Sequence, residues 1–256
     1  MKTIVREWDW WAYHYRVVHR AQIPGIEQWD HDLVDLIVQV LELELGNRVL
    51  DVACGSGEHA RRLAERGMEV VGVDIAPRLV AYCQEQAAKQ DITTAQFVQC
   101  DMRELAYDGE FDAVLLLSGS FGFYDEPTNE DVLGRIARAL RPGGRVLMDV
   151  FDPTRMVVRP PRRSWSQYSG GFGLRTTWWE PESCTYVSEF MFIDTDGTLN
   201  TYAEQERIRV YTLPEWRALL AGAGLTMTHA LADTKLPLVP YDRNHYQNLV
   251  LVAGKD

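Results

Sequence analysis

The sequence predicts an α/β protein: a doubly wound, mainly parallel sheet of seven strands, carrying an antiparallel β insertion ahead of its C-terminal part. Three observations predict it. Short apolar runs at 48–52, 69–74, 96–99, 111–117 and 145–151 alternate with stretches of helical periodicity, the rhythm of strand–helix–strand units. The first run empties into Gly55-Ser56-Gly57 and then into helix formers. Residues 152–210 abandon that rhythm for turn-punctuated, β-rich sequence.

In chain order, residues 1–10 are polar and lack the apolar core of a signal peptide. Residues 7–20 concentrate Trp8, Trp10, Trp11, Tyr13 and Tyr15, which suits either an amphipathic helix packed on the domain or a lid over a ligand. Leu33, Leu36, Ile37, Val40 and Leu41 recur at helical spacing, so 30–43 is a helix. The strand at 48–52 precedes a helix over 58–66 that stops at Gly67, and a second strand, 69–74, ends in Asp74. Pro77 opens the next helix, and the strand at 96–99 runs into Cys100-Asp101-Met102, where Asp101 has the position of an N-cap for 103–105.

The most apolar strand, 111–117, empties into a loop holding Ser118, Ser120, Phe121 and Tyr124. A helix over 128–140 ends at Arg141-Pro142-Gly143-Gly144 and turns into the strand at 145–151. In the insertion, Pro160-Pro161-Arg162-Arg163 reads as a loop, while 174–179, 185–193 and 201–210 read as strands, with a hairpin turn at 194–197. A helix opens at Thr212-Leu213-Pro214-Glu215, and strands near 225–232 and 247–253 close the sheet. The organisation expected is a helical lid over 1–45, a ligand-binding core over 46–154, the insertion over 155–210 as substrate cover or dimer contact, and the rest of the core sheet over 211–256.

The 256 residues suffice for one large domain with an insertion, and 46% apolar with 25% charged residues is ordinary for a globular protein. A net charge of −11 argues against a sequence-independent grip on nucleic acid; Arg159, Arg162 and Arg163 make the one short basic cluster. Four cysteines, none in a C-x-x-C pair, give no metal-ribbon or redox motif. No apolar run approaches the roughly 20 residues that span a bilayer, so a cytoplasmic location without membrane contact is expected.

The glycine turn admits two ligands. Gly55-Ser56-Gly57-Glu58-His59-Ala60 fits the dinucleotide fingerprint, in which a helix N-terminus faces a pyrophosphate. Asp51, at the end of the preceding strand, argues against an anion there, because like charges repel. An ammonium group suits it. Asp74, about 20 residues beyond the turn at a strand end, suits ribose hydroxyls in either case.

The chain resembles the class I S-adenosylmethionine (SAM) dependent methyltransferases of the small-molecule type. The resemblance rests on Val49-Leu50-Asp51-Val52-Ala53-Cys54-Gly55-Ser56-Gly57, Gly72-Val73-Asp74, Cys100-Asp101-Met102, Phe111-Asp112-Ala113-Val114 and Leu140-Arg141-Pro142-Gly143-Gly144-Arg145-Val146, in the family's order across 48–152. One departure is Ala53, where the longer family motif has glycine.

The resemblance implies a Rossmann-like fold, SAM as cofactor and a small-molecule methyl acceptor. It implies that Ala53, Gly55 and Gly57 approach the cofactor's methionine part and sugar, with Asp51 near its ammonium group. Asp74 would hold the ribose with Ile75 beside it, Asp101 the adenine amine, and Met102 the ring. Ser118 and Ser120 would lie by the methionine portion, and Tyr15 would lean over the methyl. Phe121, Tyr124, Trp165, Tyr241 and Arg243 are the candidates to touch the acceptor. Neither a catalytic base nor a metal ligand is assigned. An RNA base methyltransferase is the runner-up within the fold; a NAD-dependent oxidoreductase or a non-enzymatic SAM-binding protein are readings of other classes. A homodimer is one use for the insertion.

Overall fold

The computed structural model describes residues 2–6, 26–156, 161–168, 171–202, 205–232, 234–241 and 249–256. They form two sheets. The larger has seven strands: β2 (Arg48–Val52), β3 (Glu69–Asp74), β4 (Ala95–Gln99), β5 (Phe111–Leu116), β6 (Leu140–Val150), β12 (Leu225–Leu231) and β13 (Leu249–Lys255), in the order β12-β13-β6-β5-β2-β3-β4. Strands β2 to β6 pair in parallel, while β13 pairs antiparallel with β6 and with β12. The order reverses between β5 and β2, so the crevice outside their carboxyl ends is where such a sheet receives a ligand.

Two apolar layers flank this sheet, which is why its central strands are continuous apolar runs. On one side α1 (Ile26–Leu41), α2 (Glu58–Glu65) and α3 (Pro77–Lys89) contribute Leu33, Leu36, Ile37, Leu63 and Cys83. On the other, α4 (Glu126–Ala139) and α6 (Leu213–Gly222) contribute Val132, Leu133, Ile136, Trp216 and Leu220. A four-residue helical turn, α5 (Pro153–Met156), follows β6. Helix starts match their sequence signals: Asp125 caps α4 by accepting from Thr128 N–H, and Thr212 and Glu215 form a reciprocal capping box on α6. No described helix is long and apolar enough to cross a membrane.

The second sheet holds β1 (Thr3–Arg6), β7 (Arg162–Tyr168), β8 (Gly171–Glu180), β9 (Thr185–Asp194), β10 (Leu199–Tyr202) and β11 (Glu206–Arg209), with β1-β10-β9-β8-β7 in order and β11 also on β9. Three expectations are corrected here. Arg162 and Arg163 begin a strand rather than lying in a loop, because β7 finds a full antiparallel partner in β8. Residues 201–210 are two strands, since β10 and β11 pair with different halves of β9. Residues 3–6 do not belong to a helical segment; β1 adds in parallel to β10, a pairing nearly 200 residues away that no local pattern announces.

The sheets meet at the loop after β5. Gly122 carbonyl accepts from Arg209 N–H at 2.8 Å, and Phe151, just past β6, lies 5.4 Å from the ring of Tyr186 on β9. Gly122 has φ +94°, and a Cβ on it would stand 2.2 Å from the Arg209 carbonyl oxygen. Gly122→Ala therefore combines left-handed strain with a backbone collision. It should lower unfolding free energy by about 2–3 kcal/mol in denaturant titration, through the strain and steric costs that accompany such sites.

Candidate functional site

The site is built where β2, β3 and β5 end. Beyond β2 the chain turns on three left-handed residues, Ala53 (φ +56°), Gly55 (φ +57°) and Gly57 (φ +67°). The two glycines serve different ends. A Cβ on Gly57 would lie 2.7 Å from the Phe97 ring and 2.8 Å from Cys83 Sγ, so this glycine is required by packing under the turn. A Cβ on Gly55 would meet nothing within 4 Å, so its backbone faces open space. Gly57 is also the N-cap of α2 and offers no side-chain cap, leaving the first N–H groups of that helix at the crevice.

Carboxylates organise the strand ends. Asp74 is buried, its Oδ2 accepting from Gly55 N–H at 2.9 Å and its Oδ1 from Ala76 N–H at 2.9 Å. Burial pushes its carboxyl above the usual range, and those two hydrogen bonds oppose the shift. Asp51 is buried on β2; alternation with Leu50 and Val52, which join the α4–α6 layer, directs it to the α1–α2 side. Ile75 is half-buried beside Asp74.

Asp101 caps the 3₁₀ turn Met102–Glu104, accepting from Arg103 N–H at 2.9 Å, and grips the Arg103 guanidinium at 2.5–3.1 Å. Burial raises Asp101 but the Arg103 hydrogen bonds outweigh it, so its carboxyl stays below the usual range. The same guanidinium lies 4.6 Å over the ring of Tyr124, making Asp101, Arg103 and Tyr124 one cluster, with Met102 packed on the core beside it.

The loop after β5 is held from below. Ser118 is exposed and left-handed (φ +59°); its N–H donates to Asp149 Oδ2 at 3.3 Å, and Gly119 N–H donates to the Asp149 carbonyl at 2.9 Å. Ser120 Oγ donates to the Leu117 carbonyl at 2.7 Å. Asp149 is buried in β6, and burial raises its pKa to about 7. Tyr241 donates from its hydroxyl to Asp152 Oδ2 at 2.9 Å, just beyond the end of β6.

Two expected acceptor contacts are corrected. Phe121 is 4% exposed and packs 5.1 Å from Trp216 and 5.9 Å from Tyr211, so it belongs to the core rather than to a pocket wall. Trp165 is 70% exposed on the side of β7 shared with Leu174 and Met191, whereas Tyr186 and Phe190, one residue out of phase, face the core. Trp165 therefore points away from the crevice. Tyr15 and Arg243 lie outside the described residues. The sequence reading missed Arg61, Arg103 and Asp149. Buried Arg61 pins the turn by donating to the Ser56 carbonyl at 2.8 Å. The signal for Asp149 was available: a lone acid inside Val146-Leu147-Met148-Asp149-Val150.

Comparison with known proteins assigns the chain to a family. A family described as "Methyltransferase domain" matches residues 49–144. A demethylmenaquinone methyltransferase of Thermus thermophilus is 30% identical over 226 residues, covering 86% of this chain and 91% of its own. Among solved structures, a SAM-dependent methyltransferase from Clostridium acetobutylicum superposes with a TM-score of 0.75 at 15% identity, over 96% of this chain and 97% of its own. SAM-bound CalS10, an amino pentose methyltransferase from Micromonospora echinaspora, gives 0.66 at 19% identity, over 96% and 95%. These likenesses define a Rossmann-like SAM-binding fold. The chain belongs to the class I SAM-dependent methyltransferases. It is an enzyme with SAM as cofactor, which removes the oxidoreductase and non-enzymatic readings.

Asp149 yields a pH test. Its carboxyl titrates near 7 when folded and near ~3.9 when unfolded, so the folded state gives up stability as pH rises from about 4 to about 7. An asparagine at this position would keep an oxygen for Ser118 N–H without that charge. Asp149→Asn should be more stable than the parent at pH 8 by about 2–4 kcal/mol, an advantage that shrinks as pH falls below 7 and vanishes near pH 4. Denaturant titrations of both proteins across pH 4–9 measure it.

Proposed function

We propose that this chain transfers the methyl group of SAM to a small-molecule acceptor by direct in-line displacement, with S-adenosylhomocysteine as the second product. The observation that carries it is the turn around Gly55, open toward the crevice and bracketed by Asp51 and Asp74 at the ends of adjacent strands. These residues fit the cofactor. Backbone with no Cβ admits its close approach, buried carboxylates suit an ammonium group and a diol, and the N-terminus of α2 suits the α-carboxylate. When bound, SAM supplies an electrophilic methyl on a sulfonium, so no protein nucleophile is needed.

The chain's own work is binding and orientation. Asp74 retains lone pairs beyond those used by Gly55 and Ala76, and we assign them to the ribose hydroxyls. Asp51 is assigned to the ammonium side. Asp101 has its carboxylate occupied by Arg103, so the Asp101–Arg103–Tyr124 cluster as a whole is assigned to the adenine end, with Met102. Ser118 and Ser120, on the loop fixed by Asp149, border the methionine portion. With Tyr124 taken into the adenine cluster, Tyr241 remains the described candidate for acceptor contact, and the insertion is proposed as the cover of that side. Holding acceptor and donor in line supplies about 7–11 kcal/mol in favourable cases.

Methyl transfer from labelled SAM across panels of amines, phenols and tRNA tests the reading. Transfer to small molecules supports it, and transfer confined to tRNA overturns it. In calorimetry, Asp74→Ala should weaken SAM binding by about 10–100-fold, the range for a hydrogen bond to a charged group. Undiminished affinity would refute the ribose assignment. Both positions carry left-handed strain, about 1–2 kcal/mol for Ala, but Gly55→Ala should still fold and lose SAM affinity, whereas Gly57→Ala should lose more stability, because its added methyl also meets Phe97 and Cys83.

A further inference from the structure

We propose that the outer face of the insertion sheet is the seat of a second copy of this chain, packed face to face about a two-fold axis running along β8. A sheet with one side on the core alternates apolar inward with polar outward. This sheet departs from that pattern on its outer side. Its core-facing side mixes Phe190, Phe192 and Ile208 with Thr177, Ser188, Asn200 and Glu206, all buried. Its outer side carries Val5, Trp165, Phe172, Leu174 and Met191, which are five of the ten exposed large hydrophobic side chains among the described residues. Isolated exposed apolar residues are unremarkable; a contiguous set marks an interaction surface.

The set is contiguous by register. Trp165, Leu174, Met191, Thr201 and Val5 are successive cross-strand partners on β7, β8, β9, β10 and β1, so they make one row across five strands. Phe172, Ile193 and Leu199 make the next row. The five strands, four to ten residues long and about 4.8 Å apart, present roughly 550 Å² before side-chain relief, which adds toward the ~800 Å² of accessible surface per partner that a stable interface buries.

A second copy is the occupant the chemistry favours, because the face is complementary to itself. A two-fold along β8 sets Trp165 of one copy over Met191 of the other, and Leu174 over its own counterpart. The neighbouring row is Arg163, Thr176 and Glu189, and the same operation sets Arg163 of one copy over Glu189 of the other. Symmetry makes each of these contacts twice. Those paired opposite charges also offset locally the repulsion between two chains of net charge −11.

Analytical ultracentrifugation of the full chain from 1 to 100 μM tests this. The expected result is a species of twice the chain mass. Trp165→Glu should shift the dimer toward monomer by at least tenfold in dissociation constant, with SAM affinity in calorimetry unchanged. Arg163→Glu and Glu189→Arg should each weaken the dimer, and the two together should restore it. A monomer throughout the range overturns the proposal. So does a dimer that neither Trp165→Glu nor the charge reversals move, since its interface then lies elsewhere.

Discussion

A single carboxylate ties the working end of the molecule together. Asp74, at the end of β3, accepts one N–H from the turn after β2 and one from the start of its own helix α3. Register fixes β2 against β3 residue for residue, from Arg48 opposite Glu69 to Val52 opposite Val73. That register alone does not fix what happens beyond the last pair. The Asp74–Gly55 bond does, and it holds the turn open at Gly55, whose α-carbon, unlike that of Gly57, faces space rather than side chains. The shape of the crevice beyond β2 depends on that turn staying in place.

The turn is supported from several sides. Arg61 holds the Ser56 carbonyl, Cys83 Sγ donates to the Gly55 carbonyl at 3.3 Å, and Asp30 pairs with His59 at 3.1 Å between α1 and the first turn of α2. Asp149 does for the loop after β5 what Asp74 does for the loop after β2. Both acids sit in surroundings that penalise their charge, and both carboxyls are raised by burial. Such a cost is characteristic of carboxylates that cluster at functional sites.

The core sheet was legible because its signals are local. Buried parallel strands are largely apolar runs, and Gly55 and Asp74 sit at fixed distances from them, while Pro142-Gly143-Gly144 marks the irregular start of β6. The second sheet was less legible, because its strands are chosen by distant partners: β1 by β10, and β10 with β11 by opposite halves of β9. The double proline before Arg162 signals a loop, and β7 exists only because β8 offers it a continuous edge. Side-chain direction was legible least. Phe121 stands beside two serines in a ligand-facing loop, yet Trp216, almost a hundred residues on, draws it into the core. The Arg103–Tyr124 stack on Asp101 likewise joins residues that no spacing rule connects.

Arg209 gives the insertion a consequence for how this chain varies and recombines. As the last residue of β11, it donates to Gly122 through its backbone, pairs with Glu126 at 3.0 Å and Glu215 at 2.5 Å, and lies 4.5 Å over the ring of Tyr211. It thus joins the second sheet to α4, to α6 and to the cofactor-side loop at once. The insertion is therefore no detachable cassette. A chimera that grafts residues 155–210 onto another methyltransferase core must carry the glycine at 122 and the glutamates at 126 and 215 with it. This lineage would then vary by substitutions within the sheet more readily than by exchange of the sheet whole.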